Sequence, residues 1–307
     1  MSYRLKDHEA VPGGIKRVVL EQMDTVLHAA QATSGKQDDA VHDARTSLKK
    51  IRAVLRLVQG EIDDAVFQQE NVCFRDAGRR LSAVRDATVM LATFDKLMDR
   101  FSVQLSAGAF AELRKVLRRS STGRQIEKQK ALALVAKTMS AARQRVEHWP
   151  IQHNDFSALR PGLERTYRRG RRGLARAVDQ PSVENFHEWR KQVKCLWYQI
   201  RLLKPIWPKL MGQCADEIEA LADYLSDDHD LAVLRTGVRE QAGQLDDRTA
   251  LEALLALIDQ CRGELQVEAK HLGARLYVEK PRAFVDRLQA YWQAWRAEVG
   301  ADPIAAG

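Results

Sequence analysis

The sequence has little of the residues that interrupt helices. Its 307 residues include 17 glycines and 8 prolines, and the alternating β-branched runs that are typical of strands are nearly absent. The hydrophobic share of 45% and the charged share of 29% are normal for a helical globular chain. These scarcities exclude a β-rich architecture, and we predict an all-α fold.

Paired cysteines and long apolar runs are also lacking. The four cysteines, at positions 73, 195, 214 and 261, show no CxxC spacing, which predicts reduced thiols and a cytoplasmic location. No apolar run approaches the roughly 18 residues that a membrane span needs, and the N-terminus lacks the apolar segment of a signal peptide. We therefore expect a soluble protein with no membrane partner.

Motifs for catalysis and metal binding are missing as well. There is no Walker loop, no GxSxG, no kinase signature, and no HxxxH or HExxH pair. The run Asp227–Asp230 is rich in carboxylates, but consecutive residues on a helix point in different directions and cannot converge on one ion. We predict no catalytic residue, no metal and no cofactor. An enzyme that uses His42 or His187 as a phosphoacceptor or acid remains a minor alternative.

The stretch Val41–Val58 has the most unusual charge pattern in the chain. At about 100° per residue, its cationic side chains follow one another at steps of three and four residues and form one helical stripe. The stripe consists of His42, Arg45, Lys49, Arg52 and Arg56, and Asp43, the one acid in this stretch, lies off it. A line of like charges is costly unless an anion neutralises it. The stripe therefore predicts an anion-binding surface.

The pattern recurs in the second half of the chain. A shift of 145 residues superposes His42 on His187 and Arg45 on Arg190, and a shift of 144 superposes Asp86 on Asp230. The second stripe consists of His187, Arg190, Lys191, Lys194 and Arg201. We expect Asp86 and Asp230 each to pair with a basic side chain of the preceding helix. The repeat predicts two antiparallel four-helix bundles, related by a pseudo-twofold axis, with both stripes lining a basic central cavity.

Pro150–Asp155 is the predicted boundary between the halves. Residues 1–153 form the first bundle, residues 154–300 the second, and residues 301–307 a tail. Within the first half we expect one long helical stretch over Phe67–Arg100.

An arginine-rich segment precedes the second stripe. Residues 160–176 carry seven arginines against one acid, and one helical face of this segment adds Arg165, Arg168, Arg169 and Arg172 to the predicted site. The matching segment Ile15–Gln31 carries acids as well as bases, so we expect the basic lining to be stronger in the second half. Lys16, Arg17, Arg79 and Arg85 extend the predicted site.

The length of each stripe indicates the kind of anion. Five cations over four helical turns span about 20 Å, which suits a linear polyanion better than a single nucleotide. Nucleic-acid-binding surfaces usually place aromatic residues among the basic ones for base stacking. The first stripe has none, although Trp197 and Tyr198 are candidate platforms in the second. A polymer without bases, such as inorganic polyphosphate, fits the stripes best.

Six segments of the chain resemble a known family, the CHAD domain (conserved histidine α-helical domain), and YRRGRRGLARA and EKPRAFVDRL are two of them. VHDARTSLKKIRAVLRLV and FHEWRKQVKCLWYQIRLL are similar to its two histidine-bearing helices. RRLSAVRDATVML and DYLSDDHDLAVL resemble the two copies of its LG-x-x-RD-x-x-V segment, with Ser82 and Ser226 where glycine is common. The resemblance covers about residues 8–298, and the chain is similar to a stand-alone member without a CYTH domain.

The resemblance implies two four-helix bundles around a basic cavity, binding of inorganic polyphosphate, and no catalysis. It also implies, for some members, association with polyphosphate or storage granules. Two alternatives from the residues stay open beside the minor enzyme hypothesis: a nucleic-acid-binding protein, which the scarce aromatics disfavour, and a scaffold whose basic cavity meets an acidic protein.

Overall fold

The computed structural model describes residues 3–32, 35–84, 86–102, 110–121, 125–241 and 248–301. These residues form eleven α-helices and two short 3-10 turns, and no strand occurs among them. The helices are α1 (Val11–Ala29), α2 (Gln37–Leu57), α3 (Asp64–Ala83), α4 (Asp86–Arg100), α5 (Ala111–Ser121), α6 (Gln125–Glu147), α7 (Arg160–Asp179), α8 (Val183–Leu202), α9 (Pro208–Glu240), α10 (Arg248–Leu276) and α11 (Pro281–Ala301). The all-α prediction is confirmed.

Four of the helix starts follow from proline. Pro12, Pro161, Pro208 and Pro281 lie in the first turns of α1, α7, α9 and α11, where the missing amide hydrogen would have had no helical acceptor. Side-chain caps start two others, because Asp63 accepts from the Ala65 amide and Ser182 from the Asn185 amide. Local sequence thus fixes where most of the site-bearing helices begin.

The first four-helix unit consists of α1, α2, α3 and α6, each packed against two neighbours in a closed ring. Its core is apolar, and ion pairs between helices reinforce it. Glu70 of α3 is fully buried and accepts two hydrogen bonds, of 2.6 and 3.1 Å, from the guanidinium of Arg145 on α6. Such bidentate pairs fix helix register as well as contributing energy.

The second unit repeats this ring with α7, α8, α9 and α10, and α11 packs on the outside of α7. The order of neighbours is the same as in the first unit. The pseudo-twofold axis and the central cavity between the units stay predictions.

A separate hydrophobic core crosses the boundary between the halves. It joins α4 and α5 to the C-terminal part of α9 and the N-terminal part of α10, and its members include Phe94, Leu113, Leu234, Val238 and Leu254. The predicted division at residues 153 and 154 falls between the two four-helix units, but the halves on either side of it share this second core. Each half extends a helical hairpin that packs on the hairpin of the other.

The expectation of one long helix over Phe67–Arg100 is wrong. Helix α3 ends at Ala83, and α4 begins at Asp86. The break lets α4 bury Phe94 and Leu97 against α9 and α10 rather than continue along the first unit. At the equivalent place in the second half, α9 runs on without interruption through residue 229.

Glycines allow close helix contacts both between the two units and within the second one. A Cβ atom built on Gly162 would stand 1.8 Å from the carbonyl oxygen of Leu57 at the end of α2. Gly173 of α7 and Gly273 of α10 likewise admit the indole of Trp189, which is fully buried. These contacts hold α2 and α8 at fixed distances from α7, and so position the helices that carry the two stripes.

No helix among the described residues combines the length and the apolarity that a bilayer crossing requires.

Candidate anion-binding site on helices α2 and α8

The two stripe-bearing helices pack against each other. Gln199 of α8 is fully buried and donates a hydrogen bond of 3.1 Å from Nε2 to the carbonyl oxygen of Ala53 on α2. Tyr198 and Cys195 are buried against Ala53 in the same small cluster. Three residues earlier on α2, Lys50 lies beside Arg201: burial first, and then the Arg201 charge, lowers the pKa of Lys50. From Ala53 back to Lys50 on α2, the neighbour on α8 moves forward from Gln199 to Arg201, which indicates an antiparallel arrangement of the two helices.

Both predicted stripes remain at the surface on their own helices. On α2, His42 is exposed, and Arg45, Lys49, Arg52 and Arg56 are half-buried. On α8, Lys191 is exposed, and its stripe neighbours His187, Arg190, Lys194 and Arg201 are half-buried. Each half-buried cationic residue packs part of its side chain against its neighbours and keeps part of its surface in contact with solvent.

Arg52 is a stripe residue whose charged form is strongly disfavoured by its surroundings. Burial, followed by the charge of Arg56 and further charges from Arg75 and Arg79 of α3, lowers the pKa of Arg52 to about 10. One terminal nitrogen donates to the Asn71 amide oxygen at 3.3 Å, whereas the buried Nε finds no hydrogen-bond partner within the described residues. A bound anion would satisfy this donor and offset the repulsion.

Arg190, the counterpart of Arg45 in the repeat, lies against helix α9 in the second half. Its Nε donates to the Ser226 hydroxyl of α9 at 3.0 Å, and that hydroxyl in turn donates to the Ala222 carbonyl. Burial lowers the pKa of Arg190, while Asp230 and Asp223 act in the opposite direction. The closeness of Asp230 agrees with the expected pairing on the preceding helix. The side chain of Asp86, its counterpart, lies outside the described residues.

The His187 ring lies against that of a second histidine, His229, which the sequence did not connect with it. The ring centroids of His187 and His229 are 4.3 Å apart, with 33° between the planes. Burial, and then the nearby charge of Arg190, lowers the pKa of His229 to about 4. Burial, and then the charge of Lys191, lowers the pKa of His187. Both rings are therefore uncharged at neutral pH and can each donate one N–H to an anion.

We expect this histidine pair to weaken the fold in mild acid. The unfolded chain protonates His229 near pH 6.5, and the folded chain only near pH 4. Between these values the unfolded state binds more protons, so the free energy of unfolding falls as the pH is lowered through this window. Urea titrations at pH 7, 6 and 5 measure that slope. The His229→Gln variant, which cannot take up the proton, should show a shallower slope, and an identical slope would contradict this role of His229.

The arginine-rich helix α7 carries its predicted residues on the face opposite its buried side. Arg168, Arg169 and Arg172 are exposed, and Arg165 is half-buried. Arg168 forms an ion pair with Glu164, and together with Arg172 it lines a surface depression next to Pro281. The membership of this face in the site on α2 and α8 stays a prediction.

The remaining predicted residues are in varied positions. Arg17 is held by Glu9 and Glu21, so its charge is already compensated. Lys16 is half-buried on α1. Arg79 is exposed on α3, 3.8 Å from Asp76. Arg85 lies outside the described residues.

The carboxylates of Asp227–Asp230 diverge, as the helical geometry predicted. Asp227 pairs with Lys96 of α4 at 2.8 Å, while the buried Asp228 pairs with Arg262 of α10 at 3.0 Å. Within the described ranges, no three histidine, cysteine or acidic side chains come together as metal ligands. These acids instead connect α9 to its neighbours.

Sequence reasoning missed two cations near the site. Lys50 lies off the α2 stripe and reaches Arg201 only because α2 and α8 cross there. Arg75 lies one turn beyond Asn71 on α3, and its neighbourhood to Arg52 depends on the packing of two helices. The spacing of Asn71, Arg75 and Arg79 at steps of four was the one signal that could have indicated a basic face on α3.

This chain is similar to one known protein family and to solved structures. The CHAD domain model matches residues 17–239, and no CYTH domain match accompanies it. No curated protein sequence matches the chain. The crystal structure of the CHAD domain from the plant Ricinus communis superposes with a TM-score of 0.62 at 16% identity, covering 96% of this chain and 95% of that one. PptA from Streptomyces chartreusis gives a TM-score of 0.60 at 16% identity, covering 88% of this chain and 100% of that one.

At 16% identity these structures show a shared fold and no more. The family model, in contrast, spans both histidine-bearing helices and both Asp-containing segments, from α1 to the end of α9. With most of its length matched in this way, the chain belongs to the CHAD domain family.

Proposed function

We propose that this protein binds inorganic polyphosphate along the stripes of α2 and α8. The observation that carries the proposal is the packing of these two helices against each other, each with a line of cations beside the contact face. The buried Nε of Arg52 has no hydrogen-bond acceptor among the described residues, and a bound anion would supply one. A CHAD family member with such a surface fits a linear polyanion.

Geometry supports a joint surface rather than two separate ones. On both helices the stripe lies about a quarter turn around from the contact face, and in the same rotational sense. When two antiparallel helices share this offset, their stripes emerge on the same side of the pair. Each stripe spans about 20 Å, so the pair offers an extended track for a polymer.

The aromatic residues of α8 favour a ligand without bases. Tyr198 is buried, and Trp197 packs against it with ring centroids 4.7 Å apart. The Arg201 guanidinium lies 4.8 Å and the Lys194 ammonium 5.9 Å from the Trp197 ring centroid. Cation–π contacts therefore occupy the ring that a nucleobase would need for stacking. Nucleic acid is the weaker candidate for this reason.

We further propose that binding is not followed by chemistry. The acids near the stripes lie beside cations, as Asp223 and Asp230 do beside Arg190, and no nucleophile with an adjacent base stands among the described side chains of the track. We place the protein in the cytoplasm, where association with polyphosphate granules would follow from the same binding.

Polyphosphate binding by the full chain tests the proposal. We expect affinity to fall by about two orders of magnitude or more between 50 and 200 mM salt, because a polyanion releases counterions when several of its phosphates are neutralised. The length of the bound polymer, followed on gels after incubation with Mg²⁺, should not change. Loss of length would establish an enzyme, and absence of binding by the wild-type chain would refute the function.

RNA at equal phosphate concentration serves as the competitor in the same assay. We expect RNA to displace little of the polyphosphate. Efficient displacement would favour the nucleic-acid alternative.

A further inference from the structure

The two hairpins that carry the stripes have opposite charge on their second helix. Under the shift of 144 residues, Arg75 and Arg79 of α3 correspond to Glu219 and Asp223 of α9. The stripe residues opposite them are alike in sign, with Lys49 and Arg45 on α2 and Lys194 and Arg190 on α8. The basic partner of one half has become an acidic partner in the other.

Packing within each hairpin, of α2 with α3 and of α8 with α9, brings these residues near the stripes in both halves. On α3, Asn71 accepts the hydrogen bond from Arg52, and Arg75 and Arg79 follow it on the same face one and two turns later. Because α2 and α3 are joined by a short turn and run antiparallel, the face continues along the earlier residues of α2. The charges of Arg75 and Arg79 reach Arg52.

On the other side, Arg190 donates to Ser226 of α9 at 3.0 Å, and the exposed Asp223 and Glu219 lie about one and two turns before Ser226 on the same helix. Their charges favour the charged form of Lys194. Asp223 favours the charged form of Arg190 as well, and Asp230 favours the charged forms of both Arg190 and Lys194. The cations of α8 are thus already compensated in part by their own hairpin.

The residues on α3 lack comparable compensation. Arg75 and Arg79 share one carboxylate, that of Asp76, at 2.8 and 3.8 Å. Two arginines and one aspartate leave a net charge of +1 on this part of α3, whereas Glu219 and Asp223 leave −2 on the matching part of α9. The expectation of a stronger basic lining in the second half rests on the arginines of α7 and stays a prediction. Between these two hairpins, the one in the first half carries the more positive charge on its second helix.

We infer that the α2–α3 hairpin, with Arg52, Arg75 and Arg79, is the anchoring subsite for the phosphate chain, and that Glu219 and Asp223 weaken its hold on the α8–α9 hairpin. This inference rests on the proposed function and adds a direction to it. The polymer is bound tightly at one end of the track and loosely at the other, so the loose end can exchange with solvent while the anchored end stays in place.

Substitutions that replace charged side chains by neutral ones, made in the full chain, test the asymmetry. We expect Arg75→Gln/Arg79→Gln to weaken binding of inorganic polyphosphate about tenfold or more at low salt and to reduce the salt slope by up to two charges. The Glu219→Gln/Asp223→Asn variant should bind severalfold more tightly than wild type. The Lys130→Gln/Lys137→Gln variant removes two exposed charges from the outer face of α6 and should bind like wild type.

The outcomes separate this inference from the function beneath it. If wild type binds but the α3 variant keeps its affinity and salt slope, the anchoring subsite is refuted and polyphosphate binding stands. Unchanged or weaker binding by the α9 variant would equally overturn the role of its acids. Circular dichroism and thermal unfolding identify a variant that lost its fold, in which case Arg75→Lys/Arg79→Lys, with charge retained, must restore binding.

Discussion

The Arg45→Glu/Arg190→Glu variant should lose polyphosphate binding while its helical circular dichroism stays that of wild type. Each substitution turns a cation of one stripe into an anion, so both halves of the track would repel the polymer where they now attract it. Truncating one partner of a buried charged contact typically costs about 2–5 kcal/mol. Two reversals therefore predict a loss of affinity of at least about a thousandfold, measured by equilibrium binding at low salt.

A matched variant separates this effect from net charge alone. Lys130→Glu/Lys137→Glu changes the formal net charge of +8 by the same four units, on the exposed face of α6. We expect it to bind with only a modest loss from long-range electrostatics. Equal losses in the two variants would mean that the protein attracts polyanions through its overall charge and not through the track.

Because Arg190 lies near Asp223 and Asp230, a glutamate there adds repulsion to α9. The neutral variant Arg45→Gln/Arg190→Gln avoids that repulsion and should still weaken binding by about tenfold or more. Binding by the neutral variant that equals wild type would rule out these two arginines as ligand contacts.

Gly162→Ala should strongly destabilise the protein. The added methyl group would stand 1.8 Å from the Leu57 carbonyl oxygen and 2.4 Å from its carbon, and these are backbone atoms that no rotamer change can move. Helices α2 and α7 must then separate, which breaks the packing on either side. Overpacking usually costs about 1–3 kcal/mol and sometimes more. We expect the upper part of this range or beyond, measured by urea or thermal unfolding.

Gly263→Ala is the control for helix propensity. Gly263 lies inside α10 with no atom within 4 Å of the position that a Cβ would take, so alanine there should stabilise the fold by about 0.5–1 kcal/mol. Stability of Gly162→Ala at or above the wild-type level would show that α2 and α7 are not held at the described distance.

The sequence predicted the fold class and the two stripes because both depend on local periodicity. Few helix breakers indicate helices, and steps of three and four residues assign side chains to a face without any knowledge of neighbours. The charge pattern of Val41–Val58 therefore led to α2, although the helix begins earlier, at Gln37. The same spacing in Phe186–Leu203 led to α8.

The surroundings of the stripes could not be predicted in this way, because a face does not reveal what packs beside it. Lys50 approaches Arg201, and Ser226 receives the Arg190 hydrogen bond, only through tertiary contacts. Tyr198 was a candidate stacking platform, yet the crossing of α2 and α8 buries it. The break after α3 is another example, since burial of Phe94 against α9 and α10 outweighs a locally continuous helical pattern.

The core that joins α4 and α5 to α9 and α10 has a consequence for folding. Leu234, Val238 and Leu254 from one half of the chain are buried by Phe94 and its neighbours from the other, so either half alone would expose an apolar surface. The repeat is then a similarity of sequence and helix order between the halves, whereas the whole chain is the unit that folds cooperatively. Both stripes would then form in a single folding transition. We expect no stable intermediate in which one stripe is folded and the other is not.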